Sequence, residues 1–360
     1  MTALIPVTLV TGFLGSGKTT LLNRLLHEGH LADAALVINE FGDVGIDHLL
    51  VETADEALVE MADGCICCTI RGDLVDTLLR LLERSASGAP MRRIVIETTG
   101  LADPAPILHA IMGHPALVDL LRLDGVVTLV DAVNGMATLD AHEEAVKQVA
   151  VADRLLITKT DLTAETDPLR ARLQRLNPNA LTVDLSKSLD LPGTIFDCGL
   201  FNPETKSAGV NRWLKASESN HHDHHHHHDV NRHDAAIRAR TLVADKPVSL
   251  IQLASFIDLL RSAHGPKLLR VKGIVAVAEH PDRPVVIHGV QNVFHPPATL
   301  PAWPDDDHRT HMVFITRNMD DNYIGKLFDA LMGTVRTDTP DRQSLEDNPL
   351  AIPGMGRFSG

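Results

Sequence analysis

The stretch "IPVTLVTGFLGSGKTTLL", residues 5–22, decides the fold. A continuous apolar run (5–11) leads into "GFLGSGKT" (12–19), and a helical pattern follows from about residue 18 to 28. The middle segment satisfies G-x-x-x-x-G-K-[ST] in full, between the strand and the helix that its mechanism requires. Gly12, Gly15 and Gly17 let backbone N–H groups close around phosphates, with Ser16 completing the loop. Lys18 supplies a cation to the outer phosphates, and the Thr19 hydroxyl is a ligand for Mg²⁺. The alternative is an ordinary Gly-rich turn; the strand and helix on either side favour the phosphate loop.

Further apolar runs recur at "AALVINE" (34–40), "RRIVIETT" (92–99), "GVVTLVDA" (125–132) and "DRLLITK" (153–159). They are unbroken rather than alternating, as expected of strands covered by helices on both faces. Helical patterns follow at about 70–84, 104–112, 140–151 and 163–176. The expected fold class is therefore α/β: a P-loop NTPase domain with a mainly parallel sheet over residues 1–200. Residues 201–235 are polar and read as a His-rich flexible linker. From 236 to 335 the pattern suggests a smaller α+β C-terminal domain. It has strands within "LLRVKGIVAVAEHPDRPVVIHGV" (268–290) and "MVFITR" (312–317), and helices near 249–262 and 321–332. Residues 336–360, rich in Pro, Asp and Gly, read as a tail.

Two strand ends carry carboxylates suited to a nucleotide site. Glu40 follows the second apolar run in "NEFG", and Glu97 ends the third in "ETTG". Glu97 is placed to hold Mg²⁺ directly or through water, with Gly100 near the γ-phosphate; a plain acidic turn is the alternative for the Glu40 segment. "TKTD" (158–161) selects the base. The Asp161 carboxylate can accept both N–H groups on the guanine edge, which adenine lacks, and Lys159 lies along the base plane. The alternative is a solvated Lys-Asp pair with Asp161 capping the next helix. After a phosphate loop the segment favours GTP over ATP.

Three of the chain's four cysteines, Cys65, Cys67 and Cys68, fall in "DGCICCTI" (63–70). Three converging thiolates repel one another unless a cation holds them, and sulfur ligands select Zn²⁺ or a similar late transition ion. The fourth position is open to water, to Glu40 or to a partner's donor. A redox cluster and inert buried thiols remain alternatives. Cys198 stands alone and reads as a packed small residue. Residues 221–228 hold His221, His222, His224, His225, His226, His227 and His228. Neutral imidazoles bind Zn²⁺ and Co²⁺. The tract is internal and broken by Asp223, so it reads as a loose metal reservoir rather than a purification tag.

The formal charge of −14 argues against a general nucleic-acid binder. No stretch reaches the roughly 18 apolar residues of a membrane span. The N-terminal apolar run lacks the pattern of an export signal, so the expected location is cytoplasmic, where clustered cysteines are metal ligands or redox groups more often than disulfides.

"TGFLGSGKTTLLN", "INEFGDVGID", "GCICCTIRGDL", "IETTGLADP" and "ITKTDL", in this order, closely resemble the CobW-type GTPases, P-loop proteins of the SIMIBI class. The likeness continues into "LLRVKGIVAV" and "HMVFITRN", and excludes the His-rich segment and the tail. The resemblance implies a Mg²⁺-dependent GTPase acting as a metallochaperone that delivers zinc or cobalt to a client metalloprotein. It implies phosphate and Mg²⁺ contacts from Gly15, Gly17, Lys18, Thr19 and Thr20, and nucleotide-linked loops at Glu40 and Glu97. Lys18, Glu40 and Glu97 are the expected catalytic residues. Cys65, Cys67 and Cys68 would bind the transferred metal and Asp161 would read guanine. The client would dock on the C-terminal domain, and a homodimer is possible. Thr158 departs from the Asn that many GTPases carry there, so one loop-bracing hydrogen bond is in question. The competing function is metal storage by the His tract and cysteines, with hydrolysis incidental.

Overall fold

The computed structural model describes residues 4–39, 58–60, 70–87, 91–198 and 236–332. Strands β1 (Ile5–Gly12), β2 (Ala34–Asn39), β3 (Leu58–Glu60), β4 (Arg93–Thr98), β5 (Leu121–Asp131), β6 (Arg154–Thr158) and β7 (Leu181–Asp184) form one sheet in the order β3-β2-β4-β1-β5-β6-β7. Every pairing among them is parallel. The chain steps outward from β1 in both directions, so the loops after β1, β4, β5 and β6 gather at one edge. In open α/β sheets that carboxyl edge is where ligands bind.

Helices α1 (Lys18–His27), α2 (Ile70–Ala86), α3 (Ala105–Gly113), α4 (Gly135–Ala141), α5 (Glu143–Val151), α6 (Asp167–Leu176) and α7 (Leu191–Ile195) connect the strands. Leu21, Leu22 and Leu25 of α1 share one stripe and are buried against Val10, Leu36 and Val127. Each such side chain contributes about 1.5–3 kcal/mol of burial. On the opposite face Leu74, Leu78 and Leu81 of α2 pack with Val7, Ile94 and Ile96. Coverage on both faces explains the unbroken apolar runs.

The segment expected as one helix over 140–151 is two helices broken at His142, whose backbone is extended (φ −129°, ψ 115°). The helix expected from 163 starts at Asp167, after a 3₁₀ turn at Thr160–Leu162.

The second sheet is antiparallel. It contains β8 (Ile237–Ala244), β9 (Leu268–Val275), β10 (Val285–Val290), β11 (Val293–Phe294) and β13 (Thr310–Arg317) in the order β11-β10-β9-β13-β8, with β12 (Ala298–Thr299) pairing β10. One face carries α8 (Leu250–His264) and α9 (Asp321–Leu331), packed through Phe256, Phe314 and Phe328. Helix α8 starts in a capping box: Ser249 Oγ accepts from Gln252 N–H while Gln252 Oε1 accepts from Ser249 N–H. The other face rests on the first sheet's helices. Ile237, Leu269 and Ile315 join Val146, Val149 and Leu173, and Val290 joins the cluster under α3. No helix among the described residues is long and apolar enough to cross a membrane.

Candidate nucleotide site

The loop after β1 closes through glycine conformations that other residues rarely adopt. Gly15 and Gly17 have φ of 70° and 97°. Gly17 precedes α1, and no side chain caps that helix start. The amides of the first turn are thus available to an anion, reinforced by the helix dipole. Lys18 is buried and donates from Nζ to the carbonyls of Gly12 (2.9 Å) and Phe13 (3.3 Å). It spans the loop and holds its positive charge at the cradle. Thr19 is half-buried and Thr20 is exposed in the first turn of α1. A cradle of amides, a lysine and a first-turn hydroxyl fits a Mg²⁺-bound polyphosphate.

Cross-strand register places Glu97 beside Val10, two residues before the loop. Its carboxylate is buried at the end of β4. Beyond it, Gly100 sits against the loop backbone: a Cβ there would lie 2.5 Å from Leu14 N. Only glycine permits this approach, which sets the β4 loop directly on the phosphate loop.

The end of β6 braces the loop from the other side. Thr158 Oγ1 donates to the carbonyl of Ser16 at 2.8 Å. The bracing contact left in question by the sequence is therefore made by a threonine. Lys159 is left-handed (φ 56°) and its Nζ binds Asp131 Oδ2 at 2.7 Å. Burial works to raise the Asp131 pKa, but Lys159 and the N–H groups of Val133 and Asn134 outweigh it and hold the carboxyl below its usual value. Asp161 is exposed in the 3₁₀ turn and does not cap α6, whose N-cap is Thr166. Thr160 Oγ1 donates to Asp184 Oδ1 (2.8 Å), joining this turn to the loop after β7. A cavity of about 230 Å³ opens beside the phosphate loop, lined by Phe13, Ser16, Asp131, Asn134, Gln148 and Lys159 among others.

Three residues that the sequence did not single out hold these loops. Asp131 positions Lys159. Gln148, buried in α5, donates from Nε2 to the carbonyls of Gly100 (3.1 Å) and Ala102 (3.0 Å). Glu143, at the start of α5, pairs with Lys147 (3.0 Å) and accepts from Arg317 Nη2 of β13 (2.7 Å), while Lys147 reaches Asp103 (3.3 Å). Only Asp131, the last residue of β5, left a sequence signal, as a carboxylate at a strand end; the others act across long separations.

Glu40, Cys65, Cys67, Cys68 and the histidines at 221–228 lie outside the described residues. Among the described residues no three His, Cys, Asp or Glu side chains are grouped to hold a metal ion. Cys198 donates to the Ile195 carbonyl (2.8 Å), and burial pushes its thiol pKa up, as befits a packed rather than a ligating residue.

Residues 6–184 match the family described as CobW/HypB/UreG, nucleotide-binding domain, and residues 237–332 match the cobalamin synthesis protein CobW C-terminal domain. The chain is 34% identical over 329 residues to the zinc chaperone YjiA of Escherichia coli, spanning 91% of this chain and 98% of that protein. It is 27% identical over 317 residues to the zinc-regulated GTPase metalloprotein activator 1 of Dictyostelium discoideum, spanning 77% and 64% respectively. The crystal structure of Zn(II)-bound YjiA GTPase from E. coli superposes with a TM-score of 0.65 at 29% identity, covering 91% of this chain and 99% of that one.

Proposed function

Because the chain belongs to the CobW-type family of P-loop GTPases, we propose that it is a cytoplasmic GTP-hydrolysing metallochaperone that delivers zinc, or cobalt, to a client metalloprotein. The observation that supports this most is the contact of three loops on one phosphate cradle: Lys18 spanning the loop, Gly100 against Leu14, and Thr158 on Ser16.

Gly12, Gly15, Ser16, Gly17, Lys18, Thr19 and Thr20 bind the phosphates. Thr158 fixes the loop, Lys159 supports the base plane, and Asp161 accepts the guanine N–H groups. Thr19 and Glu97 would hold Mg²⁺, which neutralises charge on the phosphates. Lys18 stabilises the charge that develops on the transferred phosphoryl oxygens. Glu97 and Glu40 orient the attacking water, and the Gly100 amide meets the γ-phosphate. Cys65, Cys67 and Cys68 carry the metal as cargo, completed by Glu40 or the client. The His-rich segment gathers metal, and the C-terminal domain, from about residue 236, receives the client.

Loss of the γ-phosphate frees the Gly100 loop, and Glu40 and the cysteines come in the chain after β2 and β3, which lie in the same half of the sheet as β4. GTP and GDP states should therefore differ in metal affinity. The test measures Zn²⁺ and Co²⁺ affinity with GDP and with a non-hydrolysable GTP analogue, in the intact protein and its Cys67→Ser variant. A difference of about fivefold or more that vanishes in the variant is expected. Equal affinities in both nucleotide states would remove the basis for nucleotide-gated delivery.

A further inference from the structure

The face of the second sheet that meets the first carries an unusual concentration of charge. Asp153, immediately before β6, is buried, and so are Arg270 and Lys272 of β9. Arg270 Nη2 binds both Asp153 oxygens (3.1 and 3.2 Å), and Lys272 Nζ contacts Asp153 Oδ1. The second oxygen also accepts from Val126 N–H at 2.8 Å. Asp153 thus has its acceptor sites filled, and burial is outweighed by the two cations, which hold its carboxyl well below the usual range.

The cations are not equally satisfied. Arg270 is 3% exposed, yet its Nε and Nη1 have no hydrogen-bond partner. These N–H groups belong to a side chain that lines a cavity of about 20 Å³ between the two sheets, together with Met112, Arg122, Leu123, Asp153, His288 and His295. That volume admits one particle the size of a water molecule. Arg122 has a carboxylate of its own, Asp124 (3.4 Å). What remains is two basic side chains against one carboxylate, with burial lowering the Lys272 pKa against the pull of Asp153 at its Nζ. His288 does not add a charge: burial first, then Arg270 and Lys272, hold its imidazole well below its usual pKa, so it is neutral.

Buried guanidinium N–H donors without acceptors are costly, and an unbalanced buried charge is costlier. A water could accept some of these donors, whereas an anion accepts them and also offsets the positive charge of Arg270. We propose that this interdomain cavity is a binding site for a small monatomic anion of the chloride class, held by Arg270 and balancing the Asp153–Arg270–Lys272 cluster. The ion fastens the C-terminal sheet to the nucleotide-binding sheet, and anion occupancy sets how firmly the two are joined.

The test is made on the full chain. Crystals soaked in sodium bromide should show an anomalous peak in the cavity beside Arg270. Thermal unfolding in sodium chloride, against sodium gluconate at equal ionic strength, should shift upward by about 2–4 °C and saturate. Arg270→Met keeps side-chain length and leaves Asp153 paired with Lys272, so charge is balanced without an ion; its midpoint should be the same in both salts. A water in the cavity with no anomalous signal, or a midpoint of the native chain indifferent to chloride, overturns the proposal. If Arg270→Met fails to fold, the bromide map of the native chain decides the matter alone.

Discussion

Gln148 of α5 donates one side-chain amide to two carbonyls, Gly100 at 3.1 Å and Ala102 at 3.0 Å, and so fastens the loop after β4 to a helix that also meets the second sheet. The same helix carries Glu143, which Arg317 of β13 grips. A movement of the loop after β4 would therefore strain α5, and α5 is tied to the other sheet. The coupling needs no contact between the nucleotide and the C-terminal strands.

Gln148→Leu keeps the volume but leaves both carbonyls without this donor. Losing a buried hydrogen bond of this kind costs about 1–2 kcal/mol. Single-turnover GTP hydrolysis should slow roughly tenfold, because the Gly100 loop no longer rests in place. Affinity for GDP, which lacks the γ-phosphate, should stay within about twofold. An equal loss of GDP affinity would show that Gln148 serves the whole pocket rather than this loop.

Thr158→Val removes the hydroxyl without changing the shape of the side chain. The Ser16 carbonyl then loses its 2.8 Å donor beneath the phosphate loop. GTP and GDP affinities should both fall, by about five- to thirtyfold for a loss of 1–2 kcal/mol. Thr158→Ser retains the hydroxyl and should restore most of the affinity. Isothermal titration of the three proteins with GDP separates these outcomes.

The phosphate loop was legible because backbone geometry dictates its residues: positive φ at Gly15 and Gly17 admits little else. The parallel strands were legible because burial on both faces leaves a continuous apolar run. Strand β8, "IRARTLVA", was not, since it lies at an edge of its sheet and most of its residues are only partly buried. The break at His142 was hidden inside a pattern that is helical on both sides. Arg270 and Lys272 read as ordinary polar positions in "LLRVKGIV"; their partner Asp153 lies 117 residues from Arg270, and no local pattern announces such a pair. Gln148 was invisible for the same reason.

His288 gives the fold a dependence on acid. The residue is half-buried with its Nε2 shielded from solvent, faced by Arg270, Lys272, Asp153 and His295, with Arg122 lining the same cavity, and desolvation lowers its pKa well below the usual value. The unfolded chain binds a proton there below about pH 6.5, whereas the folded chain resists it. Stability from this group is therefore full above that pH and declines as pH falls toward the folded pKa, by at most about 1.4 kcal/mol per pH unit. Chemical denaturation between pH 7.5 and 5.5 should show the decline, on the order of one proton per molecule, and His288→Asn should flatten it. An unchanged slope in that variant would assign the acid sensitivity elsewhere.

Gly100→Ala tests the contact between the two loops most directly. The added methyl would stand 2.5 Å from Leu14 N and 2.7 Å from its Cα, both parts of the backbone that cannot swing aside. The β4 loop or the phosphate loop must shift. Gly100 is buried where the two loops meet but takes no part in the hydrophobic clusters that hold the fold, so the thermal midpoint should fall by only about 2–4 °C. Hydrolysis should suffer far more than stability. A displacement of 1 Å at a reacting centre can cost on the order of a hundredfold in rate. The variant should bind GDP and fail to turn over GTP. A normal turnover rate in a well-folded Gly100→Ala protein would mean that the β4 loop does its work without resting on Leu14.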